Sequence, residues 1–254
     1  MILALGAEIA AQTDIGLVRK SNQDSFGIDE DLSLYVVCDG MGGAAGGEIA
    51  SSIAVETFLT VARQELQSLD GKSDSDSVAL QRAVAAANRA VVVRAGWDIC
   101  YRGMGTTLVA ARVKGDKLTV IHVGDSRTYL VRENQAVQLT EDHSHVAEQV
   151  RLGLMTAEQA ERSSLRSVIT RAIGAEADVR SDLQEMTLLV GDTVLLTSDG
   201  LIRHVSDGEI AETIGSAASA DEACERLIAL ARYRGGSDNI TCIVVAVVDP
   251  SQAK

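Results

Sequence analysis

Between Thr106 and Thr140 the chain runs Thr-Thr-Leu-Val-Ala-Ala-Arg-Val, Lys-Gly-Asp, Lys-Leu-Thr-Val-Ile-His-Val, then Thr-Tyr-Leu-Val and, past Arg-Glu-Asn-Gln, Ala-Val-Gln-Leu. Apolar runs this short, joined by turns of a few polar residues, close as antiparallel hairpins, because a parallel crossover needs about a dozen residues or more. Similar runs predict strands at Leu34–Cys38, Thr193–Thr197 and Ile240–Val248. Helical spacing is confined to other blocks. Apolar residues at Ile49, Ile53, Phe58, Ala62 and Leu66 predict an amphipathic helix over Gly47–Leu66, and Leu80, Val84, Ala87 and Val91 a second over Val78–Ala95. Ser219-Ala-Asp-Glu222 reads as a capping box opening a helix to Tyr233. Strands and helices are segregated in blocks, which predicts an α+β fold with antiparallel sheets rather than a βαβ repeat.

One proline, Pro250, occurs in 254 residues, and no Ser/Gly-rich or Pro-rich stretch is long enough to be a linker. Ser68–Ser77 reads as a solvated loop between helices, and Arg151–Ser164 as a helical excursion on the surface. One domain over 1–254 is expected. The net charge of −13 repels polyphosphate backbones and argues against a nucleic-acid binder. Cys38, Cys100, Cys224 and Cys242 are too widely spaced for a zinc pattern and read as free thiols of a reducing compartment. No apolar run approaches the ~20 residues of a membrane span, and Met1–Gln12 carries Glu8 without a basic start, so no membrane partner and a cytoplasmic location are expected.

Three apolar strands run into an acid: Tyr-Val-Val-Cys-Asp39-Gly40, Val-Ile-His-Val-Gly-Asp125-Ser126 and Val-Leu-Leu-Thr-Ser-Asp199-Gly200. A fourth acid, Asp238, shortly precedes the last strand. One Asp-Gly after a strand is ordinarily a turn. Several carboxylates gathered at strand ends repel one another unless cations or protons intervene. An oxygen-only set, without clustered His or Cys, points to Mg2+ or Mn2+, with Ca2+ as the alternative. The glycine-rich run from Gly40 to Gly47 also resembles a nucleotide-binding turn. Against that, Asp39 would face the pyrophosphate, no Lys-Ser or Lys-Thr follows, and the downstream strands are hairpin-joined. Glycine here lets a backbone carbonyl come close to a metal. Arg19 is the notable base nearby, since a guanidinium fork holds two phosphate oxygens, while Lys20 beside it reads as a surface charge. His122 reads as a hydrogen-bonded core residue, Trp97 and Tyr101 as local packing around Cys100, and Met104 as needing no functional role.

Gly16-Leu-Val-Arg-Lys-Ser-Asn-Gln-Asp24, Asp39-Gly-Met-Gly-Gly43, Gly105-Thr-Thr107, His122-Val-Gly-Asp-Ser-Arg127, Ser198-Asp-Gly200 and Gly236-Ser-Asp-Asn239 together resemble the bacterial PPM/PP2C-type metal-dependent serine/threonine protein phosphatases. They span about Ile9 to Val248 in family order. The resemblance implies an α-β-β-α sandwich of two antiparallel sheets flanked by helices, with Mg2+ or Mn2+ in a channel at one edge. It implies that Asp39 bridges two core ions, that Asp199 and Asp238 complete the first, and that Asp24 with the Gly40 carbonyl serves the second. Asp125 matches the position of a third, weaker ion that Asp199 shares. Arg19 matches the phosphate-binding arginine, so Arg19, Asp39 and Asp199 are the implied catalytic set. A flap is implied at His143–Arg166. The implied reaction is hydrolysis of phosphoserine and phosphothreonine in phosphorylated proteins, by direct attack of a hydroxide bridging the two ions, opposing a cognate serine/threonine kinase. A non-catalytic signalling module binding a partner through the flap, and a phosphatase for a small metabolite, are the alternatives; a monomer is expected. One position departs from the pattern: many bacterial members carry His directly after Asp-Gly-Met-Gly-Gly, and here Ala44 stands there. A proton for the leaving alkoxide would then come from His143, His145 or a metal-bound water, although a loop role is the simpler reading of His143.

Overall fold

The computed structural model describes residues 6–69 and 75–249. Most of the loop expected at Ser68–Ser77 lies outside the described residues, as does the side chain of Ala44. In chain order the elements are β1 (Gly6–Asp14), β2 (Asp24–Asp29), β3 (Leu34–Met41), α1 (Gly43–Leu69), α2 (Ser75–Trp97), a 3-10 turn (Ile99–Tyr101), β4 (Gly105–Thr106), β5 (Leu108–Lys114), β6 (Lys117–Val123), β7 (Arg127–Arg132) and β8 (Gln135–Gln138). There follow α3 (His145–Arg151), α4 (Ala157–Glu161), β9 (Asp182–Thr187), β10 (Thr193–Thr197), α5 (Asp199–Ile202), α6 (Asp207–Ser216), α7 (Ala220–Tyr233) and β11 (Ile240–Val248).

The strands form two antiparallel sheets, one ordered β1-β11-β10-β7-β8 and the other β2-β3-β5-β6-β9, with β4 paired to β3. Side chains alternate across each strand. In β3, Leu34, Val36 and Cys38 pack with Phe58, Leu80 and Val84 of α1 and α2, while Tyr35 and Val37 face the other sheet. In β11, Ile240, Cys242 and Val244 meet Leu227 and Ile228 of α7, whereas Ile243, Val245 and Val247 fill the space between the sheets. Both faces of the central strands are therefore covered, which explains why they read as continuous apolar runs instead of alternating ones. The order of layers is helix, sheet, sheet, helix, as expected for the α-β-β-α sandwich. No helix among the described residues is long and apolar enough to cross a membrane.

Several local readings change. Helix α1 begins at Gly43 rather than Gly47, because Gly46 and Gly47 are drawn in by close packing: a Cβ on Gly47 would lie 2.7 Å from the Gly40 carbonyl oxygen, and one on Gly46 3.1 Å from Met104 Cβ. Packing thus overrides glycine's poor helix propensity. Met104 has a structural task after all, since its Cα fills the space beside Gly42. The capping box at α7 is divided: Ser219 Oγ accepts the Glu222 N–H, but the Glu222 carboxylate accepts from Ala218 N instead of Ser219 N. The excursion over 151–164 is no continuous helix. Helix α3 stops at Arg151, Gly153 turns the chain at φ +71°, and Thr156 caps α4 with a full capping box. Trp97 is exposed rather than packed, whereas Tyr101 packs against the core under α1 and α2, with the Arg94 guanidinium 4.2 Å above its ring centre.

Candidate metal and phosphate site

The two strand pairs bring the acids to one edge of the sandwich. Asp24 opens β2 and is the register partner of Asp39 near the end of β3. Asp199 follows β10 by one residue and Asp238 precedes β11 by one, and these strands are neighbours in the other sheet. Asp125 sits in the turn from β6 to β7, and β7 pairs with β10. Asp24, Asp125, Asp199 and Asp238 are buried, and Asp39 is partly buried.

Neighbouring motif residues hold these positions through the backbone. Asp39 N–H donates to Thr107 Oγ1 at 2.9 Å, and Asp39 carbonyl accepts from Thr107 N–H and Thr106 Oγ1, both at 2.9 Å. The Gly105-Thr-Thr segment is thus the splint on Asp39. Asn239 clamps the Arg19 loop: its Oδ1 accepts Gln23 N–H at 2.8 Å and its amide donates to the Ile15 and Ser21 carbonyls at 3.0 Å. Gly16, at φ +78°, packs so tightly on that end that a Cβ would fall 2.7 Å from the Gly236 carbonyl. Asp14 pairs with Arg232 and accepts Gly16 N–H.

Two of the carboxylates, Asp24 and Asp199, are held by one oxygen and left free at the other. Asp24 Oδ2 accepts from Ser198 Oγ and Thr241 Oγ1, each at 2.7 Å, while buried Asp24 Oδ1 has no partner among the described residues. Asp199 Oδ2 is taken by Arg203, and buried Asp199 Oδ1 has no hydrogen-bond partner among the described residues. Asp238 Oδ1 accepts Asn239 N–H, and its Oδ2 accepts from Arg19 at 2.7 Å. Orphaned buried oxygens cost free energy unless something electropositive faces them. Burial, first, and then the repulsion of Asp24, Asp199, Asp125 and Asp238 hold the Asp39 carboxyl well above the carboxylate range. Asp24 is pushed up to about 7 by burial and by Asp199 and Asp238, against its two hydroxyl donors. Burial and Asp199 also raise Asp125 to about 7, and burial raises Asp199 against the opposing pull of Arg203. Gly40 adds a backbone cradle: a Cβ there would overlap the Gly47 carbonyl and lie 2.5 Å from the Gln23 carbonyl. Hard oxygen donors with unsatisfied lone pairs, gathered where ionisation is penalised, suit divalent Mg2+ or Mn2+. Arg19, mostly exposed at the rim, is placed to meet an anion there.

His143 does not stand ready as an acid. It is buried and stacked on His122 with ring centres 4.6 Å apart; its Nδ1 accepts Gly124 N–H at 3.1 Å, so Nε2 carries the proton toward Asp182 Oδ2, also at 3.1 Å. His122 is the hydrogen-bonded core residue expected, with Nε2 2.8 Å from the Glu141 carbonyl. The sequence showed no histidine cluster, yet His122, His143 and Asp182 meet because β6 and β9 pair His122 with Asp182. The rings are stacked 19° from parallel and Asp182 is paired with Arg171 and Arg180, so the group reads as packing beneath the Asp125 turn. Burial, and then the neighbouring His122, lower His143 to about 4. Its neutral form therefore stabilises the fold fully above about pH 6.5, and that contribution, on the order of 3 kcal/mol, is lost as pH falls toward 4. His143→Gln should be less stable than the parent at pH 7.5, with the gap closing toward pH 4 in urea unfolding; parallel stability curves would refute it.

Arg203, four residues after Asp199, went unnoticed in the sequence; its signal was the i,i+4 acid–base spacing on one helical turn. The structural roles of Ser198 and Thr241 had no sequence signal, being contacts between sheets.

A two-sheet sandwich with an oxygen-only acid cage and an arginine at its rim defines the class of hard-cation centres built to face an anionic group. The family model for protein phosphatase 2C matches residues 18–235, and the chain belongs to that family. It is 36% identical over 237 residues to the serine/threonine phosphatase stp of Listeria innocua, covering 92% of this chain and 93% of that one. Among solved structures it is similar to the serine/threonine phosphatase of S. agalactiae (TM-score 0.88, 35% identity, 95% of this chain and 99% of that chain). It is also similar to the catalytic domain of the phosphatase PstP in complex with two manganese ions (TM-score 0.85, 36% identity, 96% and 100%).

Proposed function

We infer that this chain is a metal-dependent protein phosphatase that hydrolyses phosphoserine and phosphothreonine in phosphorylated proteins. The observation that carries the reading is the pair of buried, unpartnered oxygens, Asp24 Oδ1 and Asp199 Oδ1, in a carboxylate cage beside Arg19. Asp39, Asp199 and Asp238 would hold one ion, and Asp39, Asp24 and the Gly40 carbonyl the other. The chemistry a pair of such cations supplies when bound is a water acidified toward neutral pH and charge neutralisation at phosphoryl oxygens. Arg19 binds and orients the phosphate, exchanging its bond to Asp238 for a fork on two phosphoryl oxygens. Asn239 keeps the Arg19 loop in register with the cage. With His143 tied up and Ala44 unable to donate, the leaving alkoxide takes its proton from His145, at the start of α3, or from solvent.

The reading extends to one PP2C-like domain over 1–254 with a flap at 143–166, a monomer in the cytoplasm and a cognate kinase as its counterpart. Phosphate release from a phosphothreonine peptide in Mn2+, Mg2+ and EDTA, beside the same assay on small phosphomonoesters, tests it. Metal-dependent release favouring the peptide is expected. Folded, Mn2+-binding protein without release would turn the reading toward a binding module, and preference for a small ester toward a metabolite phosphatase.

A further inference from the structure

Arg203 reaches back from the end of α5 into the cage. Its Nε donates to Asp199 Oδ2 at 2.9 Å and its Nη2 donates to the same oxygen. Nη2 also donates to Ser167 Oγ at 3.1 Å, just past the 143–166 segment, and Nη1 lies 3.8 Å from Asp238 Oδ2. One cation therefore sits among Asp199, Asp238 and Ser167, on the Oδ2 side of Asp199, away from its free Oδ1.

We propose that Arg203 is a built-in cation that takes the third-ion position of this chain, leaving two exchangeable ions and one fixed positive charge. This rests on the reading of the cage as a two-ion centre. A third divalent ion beside Asp125 would need Asp199 Oδ2, and that oxygen already accepts two N–H groups. It would also stand against a guanidinium, which stays protonated at any working pH. The division of Asp199 keeps the two functions apart: Oδ2 serves Arg203 and Oδ1 remains for a core ion. Ser167, and the segment before it, are then fastened to the centre by a covalently attached charge whose occupancy does not vary with metal concentration.

The test is Mn2+ titration of the full chain without substrate, followed by the EPR signal of free Mn2+. The parent should bind two ions and show no third up to millimolar Mn2+. Arg203→Ala should gain a third, bound at least tenfold more tightly than any third ion of the parent. Arg203→Lys, which keeps the charge and serves if the alanine variant does not fold, should stay at two. Limited proteolysis across 143–167 should be insensitive to Mn2+ beyond two equivalents in the parent and sensitive in Arg203→Ala. Three ions in the parent, or two in both the parent and a folded Arg203→Ala, overturn the proposal while leaving the two-ion centre standing. Fewer than two ions in the parent would instead remove the two-ion reading, and the proposal with it.

Discussion

Asp39→Asn is expected to lower metal-dependent phosphate release by roughly 10³-fold or more, the scale reached when a preorganised charge-stabilising group is removed. The same substitution should not weaken the metal-free fold. Asp39 is the acid on which the repulsion of the other four converges, and its ionised form is penalised by burial before any of them. A neutral amide of the same shape relieves that penalty at pH 8, where the carboxyl would otherwise be driven toward ionisation. Without metal, the variant should therefore melt at or above the parent's temperature. On saturation with Mn2+ the parent should gain about 2.7 kcal/mol per ion at a hundredfold excess over Kd, and the variant much less. Activity and stability move in opposite directions, as expected where a site stores strain for function. A variant that keeps turnover, or that loses both turnover and its metal-free fold, would contradict this account of Asp39.

Gly40→Ala is expected to have the largest effect on folding. Its Cβ would overlap the Gly47 carbonyl and lie 2.5 Å from the Gln23 carbonyl, and both obstacles are backbone. Neither can swing aside like a long side chain, so β3 and the first turn of α1 would have to separate. A cost of about 4 kcal/mol or more follows, lowering Tm by roughly 10 °C for a chain of this size. Gly43→Ala is the control: nothing lies within 4 Å of its Cβ, and only its φ of +66° opposes the change. That variant should lose about 1 kcal/mol. Equal losses for the two would show that close packing at Gly40 is not what matters.

The contrast between these glycines also marks what the sequence could show. Strands Thr193–Thr197 and Ile240–Val248 have the bounds read from their apolar runs, because burial on both faces leaves nothing polar to blur the ends. The acids at those ends were legible for the same reason: each ionisable residue interrupts a buried run. Helix α1 starts four residues before the predicted Gly47 because glycine propensity is local, whereas the packing that recruits Gly46 and Gly47 comes from Gly40 and Met104. His143 could be found in the sequence but not interpreted, since its partners Gly124 and Asp182 are brought together by β-pairing. Contacts that cross between sheets, such as Ser198 and Thr241 on Asp24, leave no spacing to detect.

Those last contacts have a mechanical meaning. Asp24 belongs to one sheet, and the two hydroxyls that hold its Oδ2 belong to the other. The cage is thus a clasp across the seam of the sandwich, closed by side chains from both leaves. Parting the leaves at this edge dismantles the anionic cluster, and a cation shared by Asp39 with Asp199 and Asp238 across the seam would resist that parting. Amide protons of β2 and β11, on opposite leaves, should then gain protection together as the clasp is filled, whereas the far end of the sandwich, at the turn between β7 and β8, is left to breathe on its own.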